Sequence, residues 1–249
     1  MRVMTLNLNY EVDRHGAWPA RRELVSEVIR EAEPDILAFQ AVRRGAGSPG
    51  GQDQASQLAE QLGYPHVAFQ PAMSAPDGAE LGSAIISRYP LAAYSSHRLS
   101  LKGGHADQTE RLLQVARFDL PAGSLQLFNA HFSWVGEQLR DNLAETLLLL
   151  RKAAGPALLV GDFNAPAGEG LLDDLSRAGW TDAWDALCGA QAGYTFETGN
   201  LSIRIDYVWA NAPLSGKLRS IEVVGDRQGP RGEHISDHLG LLVVIDLFS

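Results

Sequence analysis

Apolar positions along this chain keep two periods, and the switches between them mark out the elements. From Arg2 to Asn9, Val3, Thr5 and Asn7 alternate with Met4, Leu6 and Leu8, the period of a strand. Trp18-Pro19 opens a helix, with proline in its first turn. Leu24, Val25, Val28, Ile29 and Ala32 fall on one helical face before Pro34 stops it. Asp35-Ile36-Leu37-Ala38-Phe39 predicts a short buried strand. Gly45 to Gly51 predicts a flexible loop, and Asp53 to Leu62 a helix closed by Gly63. Strands are then expected at His66–Gln70, Leu81–Ser87, Ala92–Leu101, Arg111–Asp119 and Ser124–His131. Gly136 to Lys152 predicts an amphipathic helix with Leu139, Leu143, Leu147 and Leu150 on one face, ended by Gly155-Pro156. Ala157–Gly161 reads as another buried strand and Gly168–Ala178 as a short helix. Strands at Arg204–Trp209, Lys217–Val224 and Gly240–Leu247 finish the pattern.

Many of the central strands follow one another as hairpin-like pairs, which excludes a purely parallel, doubly wound sheet. The pattern predicts an α/β fold of two mainly antiparallel sheets packed face to face, with helices outside. No repeat or long linker divides the chain, so one domain over residues 1–249 is expected. A 249-residue chain that is 45% hydrophobic buries a sizeable core.

Composition narrows the function classes. No apolar run reaches the roughly 20 residues of a bilayer span, and the N-terminus runs straight into a strand pattern with no signal-peptide architecture. Cys188, the only cysteine, permits neither an internal disulfide nor a cysteine-rich metal site. A cytoplasmic location, no membrane association and no obligate protein partner are expected. The net charge of −9 argues against a long electrostatic footprint on nucleic acid. It is compatible with a nuclease, because clustered carboxylates that hold a cation add to the same total. The 18 arginines against 3 lysines suit bidentate contacts to phosphate.

Candidate chemistry sits where apolar strands run out. Leu158-Leu159-Val160 is followed by Gly161-Asp162-Phe163-Asn164, a carboxylate and an amide that point the same way, or else an Asx turn. Gly161 lets backbone approach a ligand closely. Ser236-Asp237-His238 precedes the last strand and offers a hard oxygen ligand beside an acid/base group, or else a strand cap. Asp206 stands inside an apolar strand, where a carboxylate needs a partner: a histidine to orient, or Arg204 in a salt bridge. Asn129-Ala130-His131 and Asn7 end two further strands.

Together these segments resemble the endonuclease/exonuclease/phosphatase superfamily of DNase I-like enzymes. The resemblance rests on Thr5-Leu6-Asn7, Pro34 to Gln40, Gly82 to Pro90, Asn129-Ala130-His131, Gly161-Asp162-Phe163-Asn164, Arg204 to Tyr207 and Ser236-Asp237-His238. It implies a four-layer α/β sandwich with the site at one end of the paired sheets. It implies metal ligation by Asp237 and Asn7, with Asp162 and Asn164 placing the attacking water or serving a second metal. It implies His238, oriented by Asp206, as acid/base or phosphate donor, and His131 at the phosphate or the leaving oxygen. Mg²⁺ or Mn²⁺ would be the cation.

At one position the sequence departs from that pattern. Members of the superfamily usually read Gln-Glu after the second strand, and that glutamate is the main metal carboxylate. Here the residues are Gln40-Ala41, and alanine binds no cation. The resemblance therefore implies a metal-dependent phosphoesterase inactivated at position 41. Either an inactivating replacement was introduced, or this is a natural member with weakened or lost metal binding. The intact remainder of the motifs favours the first.

The substrate is less legible. Arg43-Arg44 and Arg227 to Arg231 lie in glycine-rich loops that either border the site or are plain solvated loops. Trp134 either stacks on a base, as a substrate-binding residue with Asn7, His131 and Asn164, or packs against the helix carrying Leu139, the plainer reading. The segment Thr195-Phe196-Glu197-Thr198 resembles the tyrosyl-DNA phosphodiesterase type. A phosphodiesterase acting on single-stranded or damaged DNA, or on a nucleotide-like compound, is the expectation. A small-metabolite phosphatase and a non-catalytic phosphate- or partner-binding descendant are the alternatives.

Overall fold

The structure, a computed structural model, describes residues 1–10, 14–45, 51–121 and 123–247. Strand β1 (Arg2–Asn7) leads into helix α1 (Trp18–Ala32), strand β2 (Ile36–Arg44) and helix α2 (Gln54–Leu62). Strands β3 (His66–Ser74), β4 (Glu80–Ser87), β5 (Leu91–Arg98), β6 (Leu112–Leu120) and β7 (Gly123–His131) follow. Then come helix α3 (Gly136–Leu150), strand β8 (Ala157–Asp162), helix α4 (Asp173–Arg177), strand β9 (Trp180–Asp182) and helix α5 (Ala183–Cys188). Strand β10 (Asp206–Asn211), helix α6 (Ala212–Ser215) and strands β11 (Leu218–Val224) and β12 (Gly240–Ile245) complete the order.

The strands form two six-stranded sheets, ordered β11-β12-β1-β2-β4-β3 and β5-β6-β7-β8-β10-β9. Each contains one parallel pair, β1 with β2 and β7 with β8, and is otherwise antiparallel. The sheets pack face to face with helices outside, the four-layer α/β sandwich that the resemblance implies.

Strand alternation builds three apolar layers. Val3, Ile36, Ala38 and Ile85 of the first sheet meet Phe118, Leu127, Val160 and Val208 of the second between the sheets. Met4, Leu6, Leu37 and Phe39 point the other way, onto Leu24, Val28 and Ile29 of α1 and Leu58 of α2. Phe128, Leu159 and Tyr207 point outward onto Leu139 and Leu143 of α3 and Leu175 of α4. Each large apolar side chain buried in these layers contributes roughly 1.5–3 kcal/mol over its exposed state. Helix ends follow from local chemistry. Glu33 adopts a left-handed conformation at the end of α1 and its N–H returns to Ile29 O, just before Pro34. Asp53 caps α2 by accepting from Ser56 N at 2.9 Å, and Gly63 closes it with φ 75°.

The layer between the sheets grades from apolar to polar, and this positions the site. Because side chains alternate with period two, every second residue of a strand enters that layer. The inward rows read Val3, Thr5, Asn7 in β1 and Ile36, Ala38, Gln40 in β2. In the facing sheet they read Leu125, Leu127, Asn129, His131 in β7, Leu158, Val160, Asp162 in β8, and Ala210, Val208, Asp206 in β10. All five rows turn polar at the same end.

Several elements differ from the sequence reading. Strand β2 runs past Phe39 to Arg44, carried by a register shift between Phe39 and Val42 in its pairing with β4. Strand β3 continues through Pro71 to Ser74, which a sheet edge tolerates because one side of the strand needs no N–H donor. Strand β9 and helices α5 and α6 span three, six and four residues, too short to set up a period. The helix expected at Gly168–Ala178 shrinks to Asp173–Arg177. The loop expected at Gly45–Gly51 lies, its end residues apart, outside the described residues.

Candidate functional site

His131, Asp162 and Asp206 stand side by side across three neighbouring strands, since His131 is in register with Asp162 and Asp162 with Asp206. Asn7 and Gln40 form the matching row on the facing sheet. The two rows meet at Asp162, which is 1% exposed. Its Oδ2 accepts from Asn7 Nδ2 at 2.8 Å and lies 3.3 Å from His131 Nε2 and 3.7 Å from His238 Nε2. Its Oδ1 accepts from Asn164 N at 2.9 Å, so the Asx turn is present as well as the cluster. The Asn164 amide donates to Phe132 O at 3.0 Å.

The last strand brings the remaining members. His238, just before β12, places Nδ1 2.9 Å from Asp206 Oδ2. Its ring packs on Phe196, with centroids 4.9 Å apart. Asp237 accepts from Ser236 Oγ at 3.0 Å. The Asp206 alternative of a bridge to Arg204 is overturned: Arg204 binds Asp182 at 2.8 Å and Asp185 at 2.9 Å and lies over the Tyr207 ring. Gly161 also serves a different purpose from the one expected. A Cβ there would lie 1.9 Å from Ala130 O, so the glycine admits close strand packing and not a ligand.

Electrostatics divide the two histidines. Burial and the nearby Arg111 hold the His131 imidazole below its usual range, which favours the neutral form. Burial works against charge on His238 too, but Asp206 and Asp162 outweigh it and push it up to about 10. Burial raises Asp206 to about 6, even against the attraction of His238. The 2.9 Å contact favours the imidazolium–carboxylate form of this pair. Asp162 is held well below the usual carboxylate range; burial opposes this, and His238 and His131 overcome it.

Around the cluster lies an open cleft of about 340 Å³ lined by Asn7, Asn9, Tyr10, Arg14, Ala41, Thr109, Arg111, His131, Trp134, Asp162, Asn164, Phe196, Asp237 and His238. All the candidate residues but Asp206 line it directly, and Asp206 stands behind His238. Trp134 is 57% exposed at its edge, because Phe132 takes the place against Leu139 and packs edge-on to Phe163 at 4.9 Å. Of the two readings of the arginine segments, the solvated one fits Arg43, Arg44 and Arg227, none of which is in the lining. Arg43 pairs with Asp77, Arg44 with Glu80, and Arg227 with Glu31. The cleft's basic residues are instead Arg14, paired with Glu197 at 2.6 Å, and Arg111. In the sequence Arg111 is legible only as the start of a strand. Arg21 escapes sequence reasoning altogether: it is 1% exposed and donates to Leu8 O, Asn9 O and Ile235 O, fastening the end of β1 to the Ser236-Asp237-His238 segment.

A sequence model of the endonuclease/exonuclease/phosphatase family matches residues 4–238, nearly the whole chain. The chain belongs to the endonuclease/exonuclease/phosphatase family. Solved structures of similar fold include an endonuclease/exonuclease/phosphatase family protein from Leptotrichia buccalis, with 18% identity, 99% of both chains covered and a TM-score of 0.81. A family protein from Beutenbergia cavernae has 24% identity over 98% of this chain and 70% of that one, with a TM-score of 0.78. D. rerio TDP2, complexed with single-strand DNA product, has 16% identity over 99% and 98%, with a TM-score of 0.75. No curated protein matches the sequence. Among the described residues, no helix is long and apolar enough to cross a membrane.

Enzymes of the endonuclease/exonuclease/phosphatase family generally use divalent metals, and the donor set here can be held against that need. Among the described residues, Asp162, Asp206 and His238 form one buried group with ligand atoms within 4.8 Å of one another. Most of their donor atoms already bind other groups. Asp162 serves Asn7, Asn164 and the two histidines, and Asp206 serves His238 through Oδ2. Asn7 spends its Oδ1 on Asn9 N at 2.8 Å. Position 41 presents a methyl group. Among the described residues, a hard cation seeking about six oxygens thus finds one largely uncommitted carboxylate in the cleft lining, Asp237. The described residues do not fit a tightly held cation beside Ala41.

Proposed function

We propose that this cleft is a phosphoesterase site for phosphodiesters of nucleic acid, single-stranded or damaged DNA among them, or of a nucleotide-like compound, and that alanine at position 41 cripples it. The observation that carries the reading is the convergence of Asn7, His131, Asp162 and the Asp206–His238 pair on one cleft. The anionic Asp162 orients the attacking water, with Asn164 beside it. His238, kept charged by Asp206, donates to the phosphate as negative charge grows on it. A largely neutral His131 serves better as a hydrogen-bond donor to the phosphate or leaving oxygen than as a proton source. Trp134, exposed at the edge, offers a stacking face for a base. Mg²⁺ or Mn²⁺ is the cofactor proposed for the form with a carboxylate at 41. The reading takes residues 1–249 as one domain acting in the cytoplasm.

A second reading, a phosphatase for a small phosphorylated metabolite, draws support from the modest cleft volume of about 340 Å³. The test is hydrolysis of bis(p-nitrophenyl) phosphate, p-nitrophenyl phosphate and a short single-stranded DNA, with Mg²⁺ or Mn²⁺, by this chain and by Ala41→Glu. The restored carboxylate is expected to raise diester hydrolysis by a factor of hundreds, on the order of 3–4 kcal/mol. Preference for the monoester selects the second reading. Two folded, equally inactive proteins sink both.

A further inference from the structure

We infer that this cleft holds a phosphate group without a resident divalent cation, Arg111 in the cleft wall supplying the positive charge. The inference rests on the cleft being a phosphate site and concerns how it recognises one.

Arg111 lies just before β6, next to His131, and is only 6% exposed. Its Nη2 donates to Asp107 Oδ2 at 3.0 Å. Its Nε and Nη1 are buried and find no acceptor among the described residues. Buried N–H groups left unmet are costly, and on a charged guanidinium more so. Asp107 cannot meet them all, because its carboxylate also accepts from Ser133 Oγ at 2.6 Å and Thr109 N at 2.9 Å. Unmet donors on a guanidinium in the wall of a cleft suit the oxygens of a phosphate group.

The lining's charge balance points the same way. Among the described residues, its acids are Asp162 and Asp237 and its permanent cations are Arg14 and Arg111, the latter two each paired with a carboxylate. Asp162 is already held by an amide and two histidines, and Arg14 by Glu197. A divalent cation entering this lining would sit near two guanidinium groups with, among the described residues, one largely uncommitted carboxylate to hold it. An anion entering it meets donors without acceptors. Alanine at 41 adds no further carboxylate to this lining.

The experiment is calorimetric titration of inorganic phosphate into the unmutated chain at about pH 7.5, in EDTA and again in excess Mg²⁺. Equal affinity within about twofold is expected. Arg111→Gln is expected to weaken binding roughly tenfold or more, as a charge-assisted hydrogen bond to a phosphate would. Ala41→Glu is expected to weaken phosphate binding in EDTA and to regain it with Mg²⁺. Phosphate that binds only with the metal, or not at all, overturns the inference, and the unmutated chain alone decides this even if Arg111→Gln fails to fold. Binding in EDTA that Arg111→Gln leaves untouched removes Arg111 from it. Phosphate binding in EDTA alongside absent hydrolysis by Ala41→Glu would sink the phosphoesterase reading and leave this one standing.

Discussion

The amide of Asn7 in β1 donates to the carboxylate of Asp162 in β8 at 2.8 Å, a hydrogen bond that crosses from one sheet to the other beneath the cleft. Both groups are at least 95% buried, so neither can turn to water instead. Asn7→Ala leaves the Asp162 carboxylate short of a donor and is expected to cost about 1–3 kcal/mol. Urea unfolding followed by circular dichroism measures this. A loss within error would mean that His131 and Asn164 satisfy Asp162 by themselves.

Ala41 has φ 50°, in the left-handed region that side chains with a Cβ enter at a cost of about 1–2 kcal/mol. Glycine removes that cost, loses one buried methyl and is more flexible when unfolded, by about 0.5–1 kcal/mol. Ala41→Gly is therefore expected to be neutral or to stabilise by up to about 1 kcal/mol. A clear loss of stability in the same unfolding assay would show that the methyl group packs better than its surroundings indicate.

Asp107 ties the Arg111 wall to Ser133, and its carboxyl is pushed down to about 2: burial opposes this, while Arg111, Ser133 and Thr109 prevail. A depressed carboxylate contributes stability that is present above its unfolded value of 3.8 and is lost as pH falls through about 2. Asp107→Asn is expected to cost about 3 kcal/mol near neutral pH. The gap between the two proteins is expected to close as pH falls from about 4 to about 2, where protonation removes the charge from the parent. A gap that stays constant through that acid range would assign the effect to shape and not to charge.

Trp134 contributes little to the core, so Trp134→Ala is expected to change stability by less than about 0.5 kcal/mol. If bases stack on it, the same change weakens binding of a short single-stranded oligonucleotide by about 1–3 kcal/mol. Fluorescence anisotropy with a labelled oligonucleotide reads this, and unchanged binding would remove Trp134 from the substrate path.

The site is legible in the sequence to the extent that strand alternation makes it so. Asn7, His131, Asp162 and Asp206 each break an apolar rhythm at an inward position, and such a break in a strand stands out against its neighbours. Arg111, Tyr10 and Arg14 lie on segments between elements, where polar residues are ordinary and exposure cannot be inferred from spacing. Arg21 hides differently. It stands on a regular helix beside Arg22, and only the fold shows that three backbone carbonyls from two distant segments converge on it. Trp134 departs from the plainer reading because spacing does not tell which of two aromatics, Phe132 or Trp134, takes the single place beside Leu139. The far half of strand β2 is hidden for a related reason: a register shift interrupts the pairing that lets an apolar run be extended by eye.

That register shift separates the shape of the cleft from the identity of one side chain. The backbone turns at position 41 whether or not a carboxylate stands there, held by pairing of β2 with β4 on both sides of the turn. Two of the codons for alanine become codons for glutamate by a single base change. A lineage carrying this alanine on either of them keeps the carboxylate within one mutation, with no refolding of the strand to wait for.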